Sequence, residues 1–463
     1  MHPVPTQTTT THRSRILFTP RRCLAIIAAL GLSWVSGAVA DPPEGEAARI
    51  KLAEAFVRDL AEGRFDKATA HYDATMRTAL PAAKLETLWS QLVATNGALA
   101  SFGEPRTGQI GPYEVVFVPA VFERARLDVK VVFDQKNHIA GLFFVPAGIE
   151  EPTYEPPAYD HADRYSESEV EFGEAPWRVK GKLTRPKTRA LAPVVVLVHG
   201  SGPHDEDESI GPNKAFRDLA AGLSSNGIAV LRYQKRTFAH RDQLIARGTI
   251  TLHEEAIDDA LAALAFVRTQ TTLDRSKVHL LGHSLGGTMA PQIAKEDGKL
   301  LGVILLAGTP RDPFEVVLEQ LAYIASIPGS GKAQALQTFK EAKKLIAQAK
   351  VGTAPKEENL LGAPVSYWQE LQSLSAASLP IIAKLPCRVL VLGGGRDYQV
   401  MRTDFDLYRD ALKKNKRATL KWFPDMNHLF IKGKGKATPA EYSQTGHVDE
   451  AVIRSLVRWI SGE

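Results

Sequence analysis

The run Gly282-His283-Ser284-Leu285-Gly286 places a serine between two glycines, with one residue between it and each. Ahead of it an apolar run, Val278 to Leu281, reads as a buried strand, and behind it Leu285 to Ala294 can continue as a helix. A G-x-S-x-G sequence in a strand-turn-helix context is a nucleophile elbow, in which the turn is sharp and holds its central residue strained at the top of a sheet. The free N–H groups of the following helix point at the same place. Ser284 is then able to attack a carbonyl with oxyanion donors beside it. The bland alternative is a chance glycine-rich turn.

A serine nucleophile needs a base, and the base needs a group to orient it. On this kind of sheet the chain order is serine, acid, histidine. Arg388 to Leu392 reads as a buried strand, and Gly393-Gly-Gly-Arg-Asp397 follows it, so Asp397 falls at a strand end in a glycine-rich loop. Asp404 and Asp425 compete for the role of acid, and Asp397 has the alternative of capping a helix that begins near Thr403. After Thr419 to Phe423 comes Pro424-Asp-Met-Asn-His428, which makes His428 the loop histidine behind the final strand. His447 competes with it, but precedes a terminal helix (Val448 to Ile460) and is expected to be exposed. His283 reads as a packing residue. Two backbone donors complete an oxyanion hole. The N–H of Leu285 is one; that of Ser201, in the loop His199-Gly-Ser-Gly-Pro203, is the second, with His199 bracing the loop.

The elements that must position these residues alternate. Pro193 to Val198, Ile228 to Arg232, the serine strand, Val303 to Ala307 and Arg388 to Leu392 are apolar strands, with helices at Lys214 to Asn226 and from Thr251, where Thr251 and Glu254 have capping-box spacing. This pattern predicts an α/β fold, a mostly parallel sheet covered by helices on both faces. Glu169 to Gly173 and Trp177 to Thr184 read as two antiparallel strands that open the unit. An insertion, Asp312 to Lys384, is expected to be a helical lid, with Tyr323, Tyr367 and Trp368 either lining an acyl pocket or burying the lid. The acidic run His204-Asp-Glu-Asp-Glu208 reads as a solvated loop rather than a metal site, because no spaced ligand pattern accompanies it. Arg232-Tyr-Gln-Lys-Arg236 follows a strand end within reach of the site, and Lys432-Gly-Lys-Gly-Lys436 reads as a flexible surface loop.

Upstream lies a different pattern. Residues 44–62, Phe65 to Thr78 and Ala82 to Asn96 read as helices, and then the period changes to two at Glu114 to Pro119, Ala125 to Phe133 and His138 to Val145. A small α+β domain over 41–150 is expected, followed by a proline-rich linker over 151–164 and the α/β unit over 165–463. Residues 1–40 carry four arginines and no acid, an apolar stretch from Cys23 to Val35, and Ala38-Val-Ala40, the pattern of a signal peptide. An uncleaved anchor is the alternative, but the apolar stretch is short for spanning. The expectation is export to the periplasm or outside the cell, with no stable membrane insertion after cleavage. Without those arginines 53 basic residues face 52 acidic ones, so the overall +5 becomes +1 and no polybasic field for nucleic acid remains. Cys387 is then the sole cysteine, in apolar surroundings that suit a structural thiol.

Over about residues 165–463 the chain resembles serine esterases of the α/β-hydrolase fold, and most closely a group of exported bacterial esterases with a small N-terminal domain of unknown function. The resemblance is carried by His199–Pro203 with its acidic tail, Ile210–Lys214, Arg232–Arg236 and Gly282–Gly286. Glu206 and Gln234 depart from the group, where Arg and Asp are expected. The resemblance implies hydrolysis of carboxylic esters, short- to medium-chain, through a covalent acyl-enzyme, with no cofactor and no metal. It implies Ser284, His428 and Asp397 as triad and Ser201 and Leu285 as oxyanion donors. The alternatives are a serine peptidase on the same fold, with Glu206 or Asp207 receiving the substrate amine, acyl transfer to an acceptor other than water, and an exported binding protein with a vestigial site.

Overall fold

The computed structural model describes residues 45–110, 113–147, 154–187, 191–247, 249–328, 332–355 and 358–463, so the expected signal peptide lies outside the described residues. The chain builds two sheets with separate cores. In the first, α1 (Glu46–Ala61) and α2 (Ala82–Asn96) pack on an antiparallel sheet of β1 (Leu99–Phe102), β2 (Arg106–Ile110), β3 (Tyr113–Phe122), β4 (Arg126–Phe133) and β5 (Ile139–Pro146), ordered β1-β3-β4-β5 with β2 also on β3. Phe56, Leu60, Leu85 and Trp89 from the helices meet Val116, Val118, Val129 and Val131 from one face of β3 and β4. The stretch expected as one helix from Phe65 to Thr78 is broken, because Asp73 leaves the helical conformation and its carboxylate accepts from Met76 N–H to start a new turn.

The second sheet has eight strands. They are β6 (Tyr165–Phe172), β7 (Val179–Pro186), β8 (Ala192–Val198), β9 (Ala229–Tyr233), β10 (Leu273–His283), β11 (Gly302–Leu306), β12 (Arg388–Gly394) and β13 (Ala418–Phe423). Their spatial order is β13-β12-β11-β10-β8-β9-β7-β6. The six strands from β13 to β9 are parallel throughout, and β7 and β6 add antiparallel strands at one edge. The expected α/β-hydrolase architecture, a mostly parallel sheet with a small α+β unit before it, is what forms. An all-apolar strand needs cover on both faces. In β8, Val194, Val196 and Val198 enter the core under α4 (Asp258–Thr269) and α5 (Leu285–Asp297), while Val195 and Leu197 enter the core under α3 (Ala215–Ser225) and α10 (Glu450–Ser461).

Between β11 and β12 the insertion folds as three helices, α6 (Pro313–Ser326), α7 (Lys332–Lys350) and α8 (Val365–Ile382). These have their own small core, including Phe314, Val317, Ile346 and Val365. Trp368 stacks on Phe314 at 6.2 Å and donates to Leu360 O, so it serves the interior of this unit. The described segment before β6, residues 154–164, is irregular except for a 3-10 turn at Ala162–Arg164, yet it is held down. Tyr154 Oη donates to Asp218, and Tyr159 Oη donates to Val448 O. Between β12 and β13 comes α9 (Arg402–Leu412).

Candidate functional site

Ser284 stands between β10 and α5, with φ 51° and ψ −114°, a strained conformation for a residue with a side chain. Its N–H donates to Leu306 O on the neighbouring strand, and it is half-buried at the C-terminal end of a central strand. The turn closes only with glycine behind it: a Cβ on Gly286 would stand 2.2 Å from Val198 O. Leu285, as first residue of α5, has no carbonyl a turn back to receive its N–H, which leaves that donor free at the helix start.

The two later loops meet in front of this turn. Asp397 follows β12 and His428 follows β13, and both are buried. His428 Nδ1 lies 2.7 Å from Asp397 Oδ2. The other Asp397 oxygen accepts from Gln399 N–H at 2.7 Å and Val400 N–H at 3.1 Å, which fixes the carboxylate from behind. Asn427 accepts from Leu429 and Ile431 N–H and so folds the histidine loop into a tight arch. The loops can approach because a Cβ at Gly395 would sit 2.3 Å from Pro424 O. Among the described residues Ser284 Oγ makes no hydrogen bond. Such bonds are often long before substrate arrives.

The competing acids are engaged elsewhere or exposed. Asp404, fully buried, bonds Arg311, Thr309 and the N–H of Met401, and thereby starts α9, while Asp425 is exposed. His447 is not exposed as expected: it is half-buried, with Nδ1 3.2 Å from Asp218, because that carboxylate also takes Val448 N–H and draws the segment in.

The acidic run also departs from expectation. It is not a solvated loop. Asp207 is buried against Arg232 and Lys214, and Glu208, 1% exposed, lies with Oε2 2.9 Å from His283 Nδ1 while Oε1 accepts from Gly200 N–H at 2.6 Å. Burial alone would raise the Glu208 carboxyl, but the opposing pull of His283, His204 and His199 holds it at about 2. Burial alone would lower His283, and Glu208 outweighs it, so the imidazole sits above its ordinary value. His283 is therefore a charge partner and not only a packing residue; its Nε2 lies 3.0 Å from His428 O. His199 is buried, its Nε2 3.0 Å from Asp205 O, and burial drops it to about 3. The two residues that depart from the esterase group meet each other: Gln234 Nε2 donates to Glu206 Oε2 at 3.2 Å, and Lys182 adds a cation 3.3 Å from Glu206. Both carboxylates proposed for a substrate amine are thus already paired.

Ser201, exposed, follows Gly200 at the head of this loop. A Cβ at Gly200 would stand 3.2 Å from Ser284 Cβ, so the Gly200 backbone is against the serine. Gly200 O accepts from Lys235 Nζ at 2.7 Å, and Lys235 pairs with Glu255 at 2.5 Å. Among the insertion's aromatics, Tyr323 packs against Tyr398, next to Asp397, at 5.2 Å with the rings tilted by 32°, whereas Tyr367 is half-buried beside Glu255. The Lys432–Lys436 loop is not free: buried Arg396 donates to the carbonyls of Lys434 and Gly435 and pairs with Glu441. Cys387 is half-buried, and burial raises its thiol, which suits an inert side chain. No group of metal-ligating residues occurs among the described residues, and no described helix is long and apolar enough to cross a membrane.

Sequence runs that could not be paired from the chain alone explain the misses. Glu208 gave no signal beyond its acidic neighbours, and its partner stands on a distant strand. The glycine at 200 and the H-G-S-G-P run were the available hint.

Residues 195–438 match the "Alpha/beta hydrolase family", and residues 53–142 match a "Protein of unknown function (DUF3887)". The chain is 36% identical over 405 residues to Esterase EstD of Thermotoga maritima, covering 88% of this chain and 93% of that one. Among solved structures it is similar to Est1E from Butyrivibrio proteoclasticus, at 16% identity and a TM-score of 0.41 over 63% of this chain and 99% of that one. It is also similar to the Pyrococcus furiosus esterase Pf2001, at 14% identity and a TM-score of 0.41 over 68% and 100%. With more than a third of its residues shared with an esterase along nearly the whole of both chains, and a hydrolase match over residues 195–438, more than half of its length, the chain belongs to the alpha/beta hydrolase family.

Proposed function

We propose that the chain hydrolyses carboxylic esters through an acyl-enzyme on Ser284. It is a carboxylic ester hydrolase, as its kinship with an esterase indicates, and the mechanism follows from the residues assembled at the C-terminal ends of the strands. Ser284 Oγ attacks the ester carbonyl. His428 Nε2 takes the hydroxyl proton and then gives it to the leaving alkoxide, while Asp397 holds Nδ1–H and stabilises the imidazolium. The N–H groups of Leu285 and Ser201 receive the oxyanion. Water, deprotonated by His428, attacks the acyl-serine, and collapse returns the carboxylic acid and free Ser284. The observation that carries this reading is the buried 2.7 Å contact between His428 and Asp397, with His428 held at the strained Ser284 turn through His283.

The substrate is proposed to be a small ester of short- to medium-chain acid. The insertion between β11 and β12 brings Tyr323 over the acid loop, where it bonds Ala437 O, and so acts as the lid. A peptidase reading loses support because Glu206 and Asp207 are already matched with cations or amide. Hydrolysis of a p-nitrophenyl ester series from acetate to palmitate, beside aminoacyl p-nitroanilides, tests this. The expected optimum falls from butyrate to octanoate and is lost in Ser284→Ala; dominant anilide turnover contradicts it. Export is proposed from the basic, apolar, A-x-A order of residues 1–40. N-terminal sequencing of protein recovered outside the cytoplasm should begin at Asp41; a chain starting at Met1 in the cytoplasm contradicts that.

A further inference from the structure

We propose that two buried ion pairs, Lys235–Glu255 and Glu208–His283, grip Gly200 from both sides and thereby orient the Gly200–Ser201 peptide as an oxyanion donor. This rests on the acyl-enzyme reading of the site given above.

The grip is read from contacts. On the amino side, Gly200 N–H donates to Glu208 Oε1 at 2.6 Å, and Glu208 Oε2 is 2.9 Å from His283 Nδ1. On the carboxyl side, Gly200 O accepts from Lys235 Nζ at 2.7 Å, and the same ammonium lies 2.5 Å from Glu255 Oε1. In a trans peptide the C=O and the next N–H point in opposite directions. An ammonium that fixes Gly200 O on one side therefore turns Ser201 N–H to the other, and the Gly200 backbone stands against Ser284. A cation on the carbonyl also polarises the amide, which strengthens its N–H as a donor where charge develops.

Their burial separates these groups from ordinary surface pairs. The side chains of Lys235 and Glu255 are 2% and 6% exposed, and those of His283 and Glu208 are 4% and 1% exposed. Lysine is almost never buried without a partner, and burying an ion pair costs as much as it returns. Apolar residues would hold the loop as well for stability alone. What they cannot do is set the direction of one peptide plane. Local structure serves the same end. Residues His253–Ile257 form a π-helical turn ahead of α4 that carries the buried Glu255, and Glu208 has φ 50°. His283 extends the arrangement to the histidine loop through His428 O. Nucleophile turn, oxyanion loop and base loop are thus tied through one buried set of charges, and Lys235, Glu255, Glu208 and His283 are positioning residues.

The test uses the full chain and p-nitrophenyl butyrate, with butylboronic acid as a tetrahedral mimic whose hydroxyl occupies the oxyanion position. Lys235→Met is expected to lower kcat by about 10- to 100-fold, less than the loss of a donor outright, with KM within about threefold. Inhibition by butylboronic acid weakens by the same factor as kcat/KM. Glu208→Gln, which keeps an acceptor for Gly200 N–H but no charge for His283, shows the same split to a smaller degree, and it carries the test if Lys235→Met does not fold. The clamp alone is overturned if turnover is abolished by Ser284→Ala while the folded variants keep wild-type kcat and boronate affinity, or if their whole loss is in KM. Wild-type turnover that is absent, or untouched by Ser284→Ala, overturns the acyl-enzyme reading and the clamp with it.

Discussion

Replacing Asp397 by Asn tests the orientation of His428 with the least disturbance. Both carboxylate oxygens are committed, one to the N–H groups of Gln399 and Val400 and the other to His428 Nδ1. An asparagine has one acceptor. Its oxygen must stay on the two backbone donors, because the flipped amide would set NH₂ against both. Its NH₂ then faces His428 Nδ1, which becomes the acceptor, and the ring proton moves to Nε2. A histidine protonated there cannot take the Ser284 proton. The wrong tautomer in a Ser-His-Asp arrangement costs about 10⁴ in kcat, roughly 5.5 kcal/mol. The assay is kcat for p-nitrophenyl butyrate in wild type and Asp397→Asn, with circular dichroism to establish folding. Asp404→Asn serves as the control, since Asp404 is bound to Arg311 and Thr309 and its change should lower stability and leave kcat within about threefold. A folded Asp397→Asn variant that keeps more than a tenth of wild-type kcat refutes the reasoning.

Further outcomes follow from the buried charges and the turn. The stability that Glu208→Gln removes should depend on pH: the His283 contribution is whole below its ordinary 6.5 and fades as pH rises through its raised value, while the Glu208 contribution is whole above 4.5 and fades as pH falls toward about 2. His199, His204, Lys235 and Asp397 are the other charged or titratable neighbours. Scanning fluorimetry should show the largest difference, about 2–4 kcal/mol, between pH 4.5 and 6.5; a difference independent of pH contradicts the pair. Arg311→Met leaves the buried Asp404 carboxylate without its cation and should cost about 3 kcal/mol in urea unfolding without changing kcat per folded molecule; equal stability would show that the Thr309 and Met401 hydrogen bonds alone hold it. Gly286→Ala drives a methyl onto Val198 O, so we expect a loss of about 4 kcal/mol or more, read as insoluble or inactive protein; a soluble variant with wild-type melting would show that the turn is looser than described.

The fold class was legible because the strands of a doubly covered sheet leave a plain mark. Val194 to Val198 is apolar at every position, and alternate residues enter opposite cores. Strands with one covered face or none leave less. β1 and β2 of the first sheet were missed: Leu99–Phe102 is exposed at all but one position, and Arg106–Ile110 alternates no apolar residues. The break that interrupts Phe65 to Thr78 is marked by one side-chain cap, Asp73, which outweighs propensity over so short a stretch. At the site, the residues singled out by motif and strand-end position, Asp397 and His428, lie 2.7 Å apart. Glu208 and Lys235 lay within motifs but gave no sign of their partners. Charge along a sequence suggests solvent; only tertiary packing shows that the opposite charge arrives from another strand and takes the group inside.

The central claim is that Ser284 carries the acyl group, and the most direct measurement is covalent capture. Incubation with p-nitrophenyl hexylphosphonate ethyl ester should release one equivalent of p-nitrophenol, abolish ester hydrolysis, and give a phosphonyl mass increment on the peptide containing Gly282–Gly286, with the modified residue assigned to Ser284 by fragmentation. No increment should appear in Ser284→Ala. An adduct on another residue, or ester hydrolysis that survives full modification of Ser284, would contradict the account.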